Sequence, residues 1–154
     1  MLHSLILCTG VVPPCDTHPE RCVALAGSGA SPMPLVALGT WSGSYKDCAK
    51  NDYTCVRARA KKAVGTWIDL GGTHIDTAND YRTQVEVGEA VQASGLDRSK
   101  LFLTTKCPGP MGFAATLQCA EDNLQMLGQY GAHFSPSDGL FTLSSGSVHP
   151  TPKA

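Results

Sequence analysis

The chain has 154 residues, enough for one domain with a sizeable core. Hydrophobic residues make up 42% and charged residues only 16%, and 12 basic against 13 acidic residues leave a net charge of −1 with no like-charge cluster. This excludes the basic footprint of a nucleic-acid binder or an anionic-membrane patch, and no apolar run reaches the ~18 residues of a transmembrane helix.

Residues 1–32 contain Pro13, Pro14, Pro19 and Pro32 and no regular period, so they read as an irregular leader. Met1 to Val12 is apolar in part but lacks a basic n-region, so it is a weak targeting signal at most. The stretch Val23-Ala24-Leu25-Ala26-Gly27-Ser28-Gly29 lacks the third glycine of a dinucleotide loop. Pro32 and Pro34 block the helix such a loop must open, so a Rossmann reading is rejected. Seven cysteines cannot complete a disulfide framework and contain no C-x-x-C pair. Scattered reduced thiols in a cytoplasmic setting are therefore expected. Cys48 and Cys55 read as packing residues, and Cys107 as an accessible thiol without a partner base.

The first strand is expected over residues 35–38, ending at Gly39-Thr40-Trp41. A helix over residues 54–70 follows, with Val56, Ala60, Ala63, Val64, Trp67 and Ile68 on one face, and Gly71 stops it. The second strand covers residues 73–77. Thr83 and Glu86 fit a capping box that opens a helix running to about residue 94. A third strand covers residues 100–105, and a third helix residues 114–127, with Leu117, Ala120, Leu124 and Leu127 in register. Alternating strands and helices predict a parallel α/β sheet. From residue 129 to 154 the pattern stops, and Leu140-Phe141-Thr142-Leu143 is the one strand-like run.

Parallel pairing would gather Asp76, Tyr81 and Lys106 at the carboxyl ends of neighbouring strands, where α/β folds place their chemistry. Reduction of a carbonyl needs a hydride donor and a group that protonates the developing alkoxide. A tyrosine does the second job when a neighbouring ammonium lowers its pKa from ~10, and a carboxylate holds that ammonium in place. A strand-ending Lys is ordinarily solvated, however, and an Asp before a helix ordinarily caps it, so spacing alone leaves the triad open.

Residues 31–128 resemble the N-terminal part of an aldo-keto reductase. The matching stretches are Met33-Pro34-Leu35-Val36-Ala37-Leu38-Gly39-Thr40-Trp41, His74-Ile75-Asp76-Thr77-Ala78 with Tyr81, Val87-Gly88-Glu89-Ala90, Ser94-Gly95-Leu96 with Arg98, and Leu101-Phe102-Leu103-Thr104-Thr105-Lys106. The resemblance implies an α/β fold comprising the first three βα units of a (β/α)8 TIM barrel, with irregular segments at both ends. Its organisation would be a leader over 1–32, a partial NADP-dependent oxidoreductase domain over 33–128 and a non-homologous tail over 129–154. It further implies NADPH-dependent reduction of an aldehyde or ketone. Tyr81 would be the proton donor, Lys106 its partner and Asp76 the anchor of that Lys. Gly39, Thr40, Trp41 and Asp76 would contact the cofactor. The implied partner is a small carbonyl substrate, with neither nucleic acid nor membrane.

The family's strand-four His follows a D-Y-x-D-L-type run, which is missing after Leu127-Gly128. His133 comes too early and lacks the apolar strand that would aim it inward. A non-catalytic fragment acting at most as a binding module is therefore the alternative. The third strand is then expected to be an open edge prone to self-association. His74 lies two residues before Asp76, hence on the same strand face, and reads as a core side chain rather than a metal ligand.

Overall fold

A computed structural model of the chain describes residues 14–25, 32–41, 47–109, 112–128, 132–133 and 140–145. The polypeptide enters through a short helix, α1 (Pro14–Thr17), and a two-residue strand, β1 (Cys22–Val23), which pairs antiparallel with β2 (Met33–Pro34). The strand expected over residues 35–38 is displaced, and only β3 (Leu38–Gly39) joins the main sheet. Leu35 N–H donates to the Arg21 carbonyl at 2.8 Å, which commits that backbone to the entry hairpin. Leu35 and Val36 are consequently 58% and 69% exposed.

The three expected helices form, each within a residue of its expected bounds. They are α2 (Tyr53–Asp69), α3 (Gln84–Ala93) and α4 (Phe113–Met126). The Asp52 carboxylate accepts from Cys55 N–H at 3.0 Å and so caps α2. At the other end, Gly71 takes the left-handed conformation (φ +88°) that ends the helix. The capping box expected at Thr83 is absent. Its side chain makes no cap bond, and its hydroxyl instead reaches Thr40 Oγ1 at 3.4 Å, because the turn before α3 folds back over the end of β3.

β4 (His74–Asp76) pairs parallel with β3 on one side and with β5 (Phe102–Lys106) on the other. Ile75 faces Leu103 in that register, and both are fully buried. They form the core with Val64 and Ile68 of α2, Val87, Ala90 and Val91 of α3, and Leu127. Burying each of these Ile, Leu and Val side chains contributes about 1.5–3 kcal/mol. α3 meets the end of α4 at Gly88, where a Cβ would stand 2.7 Å from the Leu127 carbonyl oxygen. Only glycine lets that backbone approach occur.

The outer edge of β5 was expected to be open, and it is not. β7 (Leu140–Ser145) pairs antiparallel with β5, with Leu140 opposite Lys106, and β6 (Ala132–His133) pairs with β7. The short run of β-prone residues at 140–143 meets unpaired β5 backbone groups and satisfies them. The expectation of reduced thiols is also overturned. Cys15–Cys22, Cys48–Cys55 and Cys107–Cys119 are disulfides, with Cα–Cα separations of 5.6, 5.7 and 6.1 Å. Each joins a loop or strand residue to a neighbouring helix, a pairing that chain folding creates and linear spacing hides. Cys8 lies outside the described residues. Among the described residues, no helix is long and apolar enough to cross a membrane.

Candidate active site

Asp76 ends β4 and Lys106 ends β5. Their parallel register sets Asp76 opposite Thr104, two residues before Lys106 and on the same face of its strand. The chain leaves β4 through Thr77 and Ala78 into a single 3₁₀ turn, Asn79–Tyr81, which swings Tyr81 back over the strand ends. Arg82 closes that turn in the left-handed conformation (φ +56°). Lys106 Nζ donates to Asp76 Oδ1, to the Thr77 carbonyl at 3.0 Å and to Tyr81 Oη at 3.3 Å. It also lies 4.9 Å from the centroid of the Tyr81 ring. The ammonium is thus surrounded by a carboxylate, a carbonyl and a phenol. Asp76 and Lys106 side chains are 35% and 30% exposed, so the group opens to solvent at the rim of the sheet.

The loop after β3 contributes Thr40 and Trp41. Thr40 is buried, and both its N–H (2.9 Å) and its hydroxyl (3.1 Å) donate to the Asp76 carbonyl, which locks the ends of β3 and β4 together. Trp41 is exposed, with its ring 6.4 Å from that of Tyr81 at 48°, and forms a wall beside the phenol. Gly39 sits in the open, since a Cβ there would meet nothing within 4 Å.

Behind the three polar side chains lies a buried amide network that sequence reasoning missed. Asn123 of α4 accepts from Asn79 Nδ2 (2.9 Å) and Gln84 Nε2 (2.7 Å), and Gln84 accepts from Thr105 Oγ1 (2.5 Å). The signal was available. Asn123 falls between Ala120 and Leu127 on the apolar stripe of α4, where an amide has to find buried partners.

Residues 35–129 match the model of the aldo/keto reductase family. The chain belongs to that family. It is 36% identical over 93 residues to glycerol 2-dehydrogenase (NADP(+)) of Saccharomyces cerevisiae, covering 60% of this chain and 26% of the yeast protein. An aldo-keto reductase of Mycolicibacterium paratuberculosis is 38% identical over 132 residues, covering 81% and 43% respectively. Among solved structures, an aldo/keto reductase from Brucella melitensis superposes with a TM-score of 0.56 at 30% identity, over 70% of this chain and 37% of that one. Bombyx mori aldo-keto reductase in complex with NADP gives 0.58 at 29%, over 70% and 34%. The chain therefore spans between a quarter and under half the length of these relatives.

In this aldo/keto reductase chain, His74 lies at depth below the rim. Its Nδ1 bonds the Pro34 carbonyl at 2.8 Å, its Nε2 bonds Thr104 Oγ1 at 2.9 Å, and its ring meets the edge of Phe102. A carbonyl only accepts, so Nδ1 carries the proton and the neutral Nε2 accepts from the Thr104 hydroxyl. Burial holds the His74 pKa below its ordinary value, against the opposing pull of the Pro34 bond and the Asp76 charge. The unfolded chain therefore binds the extra proton first. Its contribution to stability is full above the unfolded pKa of about 6.5 and is lost as pH falls below that. The melting temperature is expected to drop as pH is lowered from about 7.5 to about 5, with a shallower slope in His74→Gln. An identical slope in the two chains would contradict this.

Among the described residues, no group of three or more His, Cys, Asp and Glu is arranged to hold a metal ion. His133 lies on β6 opposite Ser144, two strands removed from β5 in the sheet order.

Proposed function

We propose that the chain is an NADPH-dependent oxidoreductase that reduces an aldehyde or ketone, with Tyr81 as proton donor. The observation that carries this reading is the Lys106 ammonium standing 3.3 Å from the Tyr81 hydroxyl while bonded to Asp76. NADPH, when bound, supplies a hydride to the carbonyl carbon. Tyr81 gives its phenolic proton to the carbonyl oxygen as negative charge develops there. Lys106 then stabilises the charge left on the phenolic oxygen, and Asp76 and the Thr77 carbonyl keep its ammonium in place. Exposed Gly39, Trp41 and the half-exposed Asp76 would receive the nicotinamide end of the cofactor. Thr40 serves that surface from below by fixing the Asp76 backbone.

In the same reading, residues 33–128 are the first three βα units of a (β/α)8 barrel, flanked by the leader and tail described above. Association of copies through an exposed sheet edge, expected above along the third strand, belongs to this proposal; with β5 covered, the outer strands of the sheet are β3 and β6. A cytoplasmic setting rests on composition alone, whereas three disulfides favour an oxidising compartment.

A second reading is a chain without turnover that acts at most as a binding module. It draws support from β7, which lies antiparallel against β5 where an α/β barrel carries its next parallel strand. Incubating the purified protein with NADPH and an aromatic aldehyde separates the two. Consumption of NADPH with alcohol formation is expected. Absence of both turnover and NADPH binding would favour the second reading.

A further inference from the structure

Lys106 and Tyr81 stand on β5 and on the turn after β4, and α4 reaches both from behind. Its contribution is Asn123, whose side chain is fully buried. A buried amide left without partners costs about 1–3 kcal/mol, and this one is satisfied on both sides. Its oxygen accepts from Asn79, the first residue of the turn that ends in Tyr81, and from Gln84, the first residue of α3. Its nitrogen donates to the carbonyl of Lys106 itself at 3.3 Å. Gln84 closes the circuit by accepting from Thr105, the residue before Lys106. The Cys107–Cys119 bridge flanks the same amide, tying the residue after Lys106 to α4 one turn before Asn123. Through these bonds one buried side chain links the turn that carries Tyr81, the start of α3 and the end of β5.

We propose that Asn123 is a positioning residue: by tying the end of β5 to the turn that carries Tyr81, its amide sets the separation between the Lys106 ammonium and the Tyr81 hydroxyl. This rests on the reading of those two groups as the proton-donating pair. Fully buried, Asn123 presents no surface of its own at the rim and acts through the backbone of one partner and the turn of the other.

The test reads that separation without needing turnover. The chain has four tyrosines, so isotopic labelling of the hydroxyl-bearing ring carbon gives a simple NMR spectrum in which Tyr81→Phe identifies the Tyr81 signal. Lys106→Met is expected to displace that signal in the otherwise unchanged chain. In an Asn123→Leu background, similar in size but without the amide, the displacement is expected to shrink about twofold or more, as coupling between the two groups is lost. A cooperatively melting Asn123→Leu chain that keeps the full displacement overturns the proposal. So does a Tyr81 signal indifferent to Lys106→Met. If Asn123→Leu does not fold, Asn79→Ala decides, because it removes one of the amide's bonds at a partly exposed position. A reduced displacement there supports the proposal, and an undiminished one overturns it. Absence of NADPH turnover with the displacement intact would count against the catalytic reading alone.

Discussion

Tyr81→Phe is expected to lower the rate of carbonyl reduction by about 10²–10⁴-fold, or about 3–5 kcal/mol of barrier, the range for a positioned general acid. The substitution deletes one oxygen, and that oxygen's partner is the Lys106 ammonium at 3.3 Å. The ring keeps its place beside Trp41 and under Lys106 Nζ, so the wall that would receive substrate is unaltered. Loss should therefore fall on kcat, with KM and the affinity for NADPH nearly unchanged. Steady-state rates with a series of aldehydes, together with NADPH binding followed by fluorescence, check this split. A Phe variant that turns over at the unmodified rate would show that the proton comes from another donor, and the reading of the rim as a proton-transfer site would fall with it.

The parts of the molecule legible beforehand were those written locally. Helices α2, α3 and α4 are set by apolar stripes with a glycine after each end, and their positions follow from the period of the helix itself. The meeting of Asp76 and Lys106 follows from two strand ends in a parallel sheet, a geometry that alternating strands and helices nearly dictate, whereas Tyr81 is brought to them by the 3₁₀ turn after β4. Features that depend on which distant segments meet were hidden. Leu35-Val36 has the composition of a strand yet is exposed, because the neighbouring hairpin takes its backbone hydrogen bond. Thr83 has the composition of a cap yet turns to Thr40. The disulfides were invisible for the same reason. Seven residues separate Cys48 from Cys55, but the cap at Asp52 reverses the chain and brings their Cα atoms within 5.7 Å. The antiparallel β7 arises because β5 had backbone groups to satisfy and a short run of Leu, Phe and Thr could reach them.

Lys106→Met separates the part this residue would play in the proposed reaction from its part in the fold. The ion pair with Asp76 is about one third exposed on both sides, and partly solvated pairs of this kind contribute roughly 0–1 kcal/mol to stability. Met keeps most of the aliphatic stem, so the variant is expected to melt within a few degrees of the original chain. Activity should respond very differently. Removing one donor aimed at developing negative charge costs about 10²–10³-fold in kcat, and among the described residues it is Lys106 Nζ that bonds the Tyr81 oxygen. The effect should also fail to add to that of Tyr81→Phe. Once the phenol is gone the ammonium has no oxyanion to stabilise, so the double variant is expected to be hardly slower than the slower single one. Differential scanning calorimetry and steady-state rates on the two single variants and the double variant measure both halves. Multiplying losses would mean that Lys106 and Tyr81 act on separate steps. A large fall in melting temperature would mean that the pair is chiefly a structural clamp.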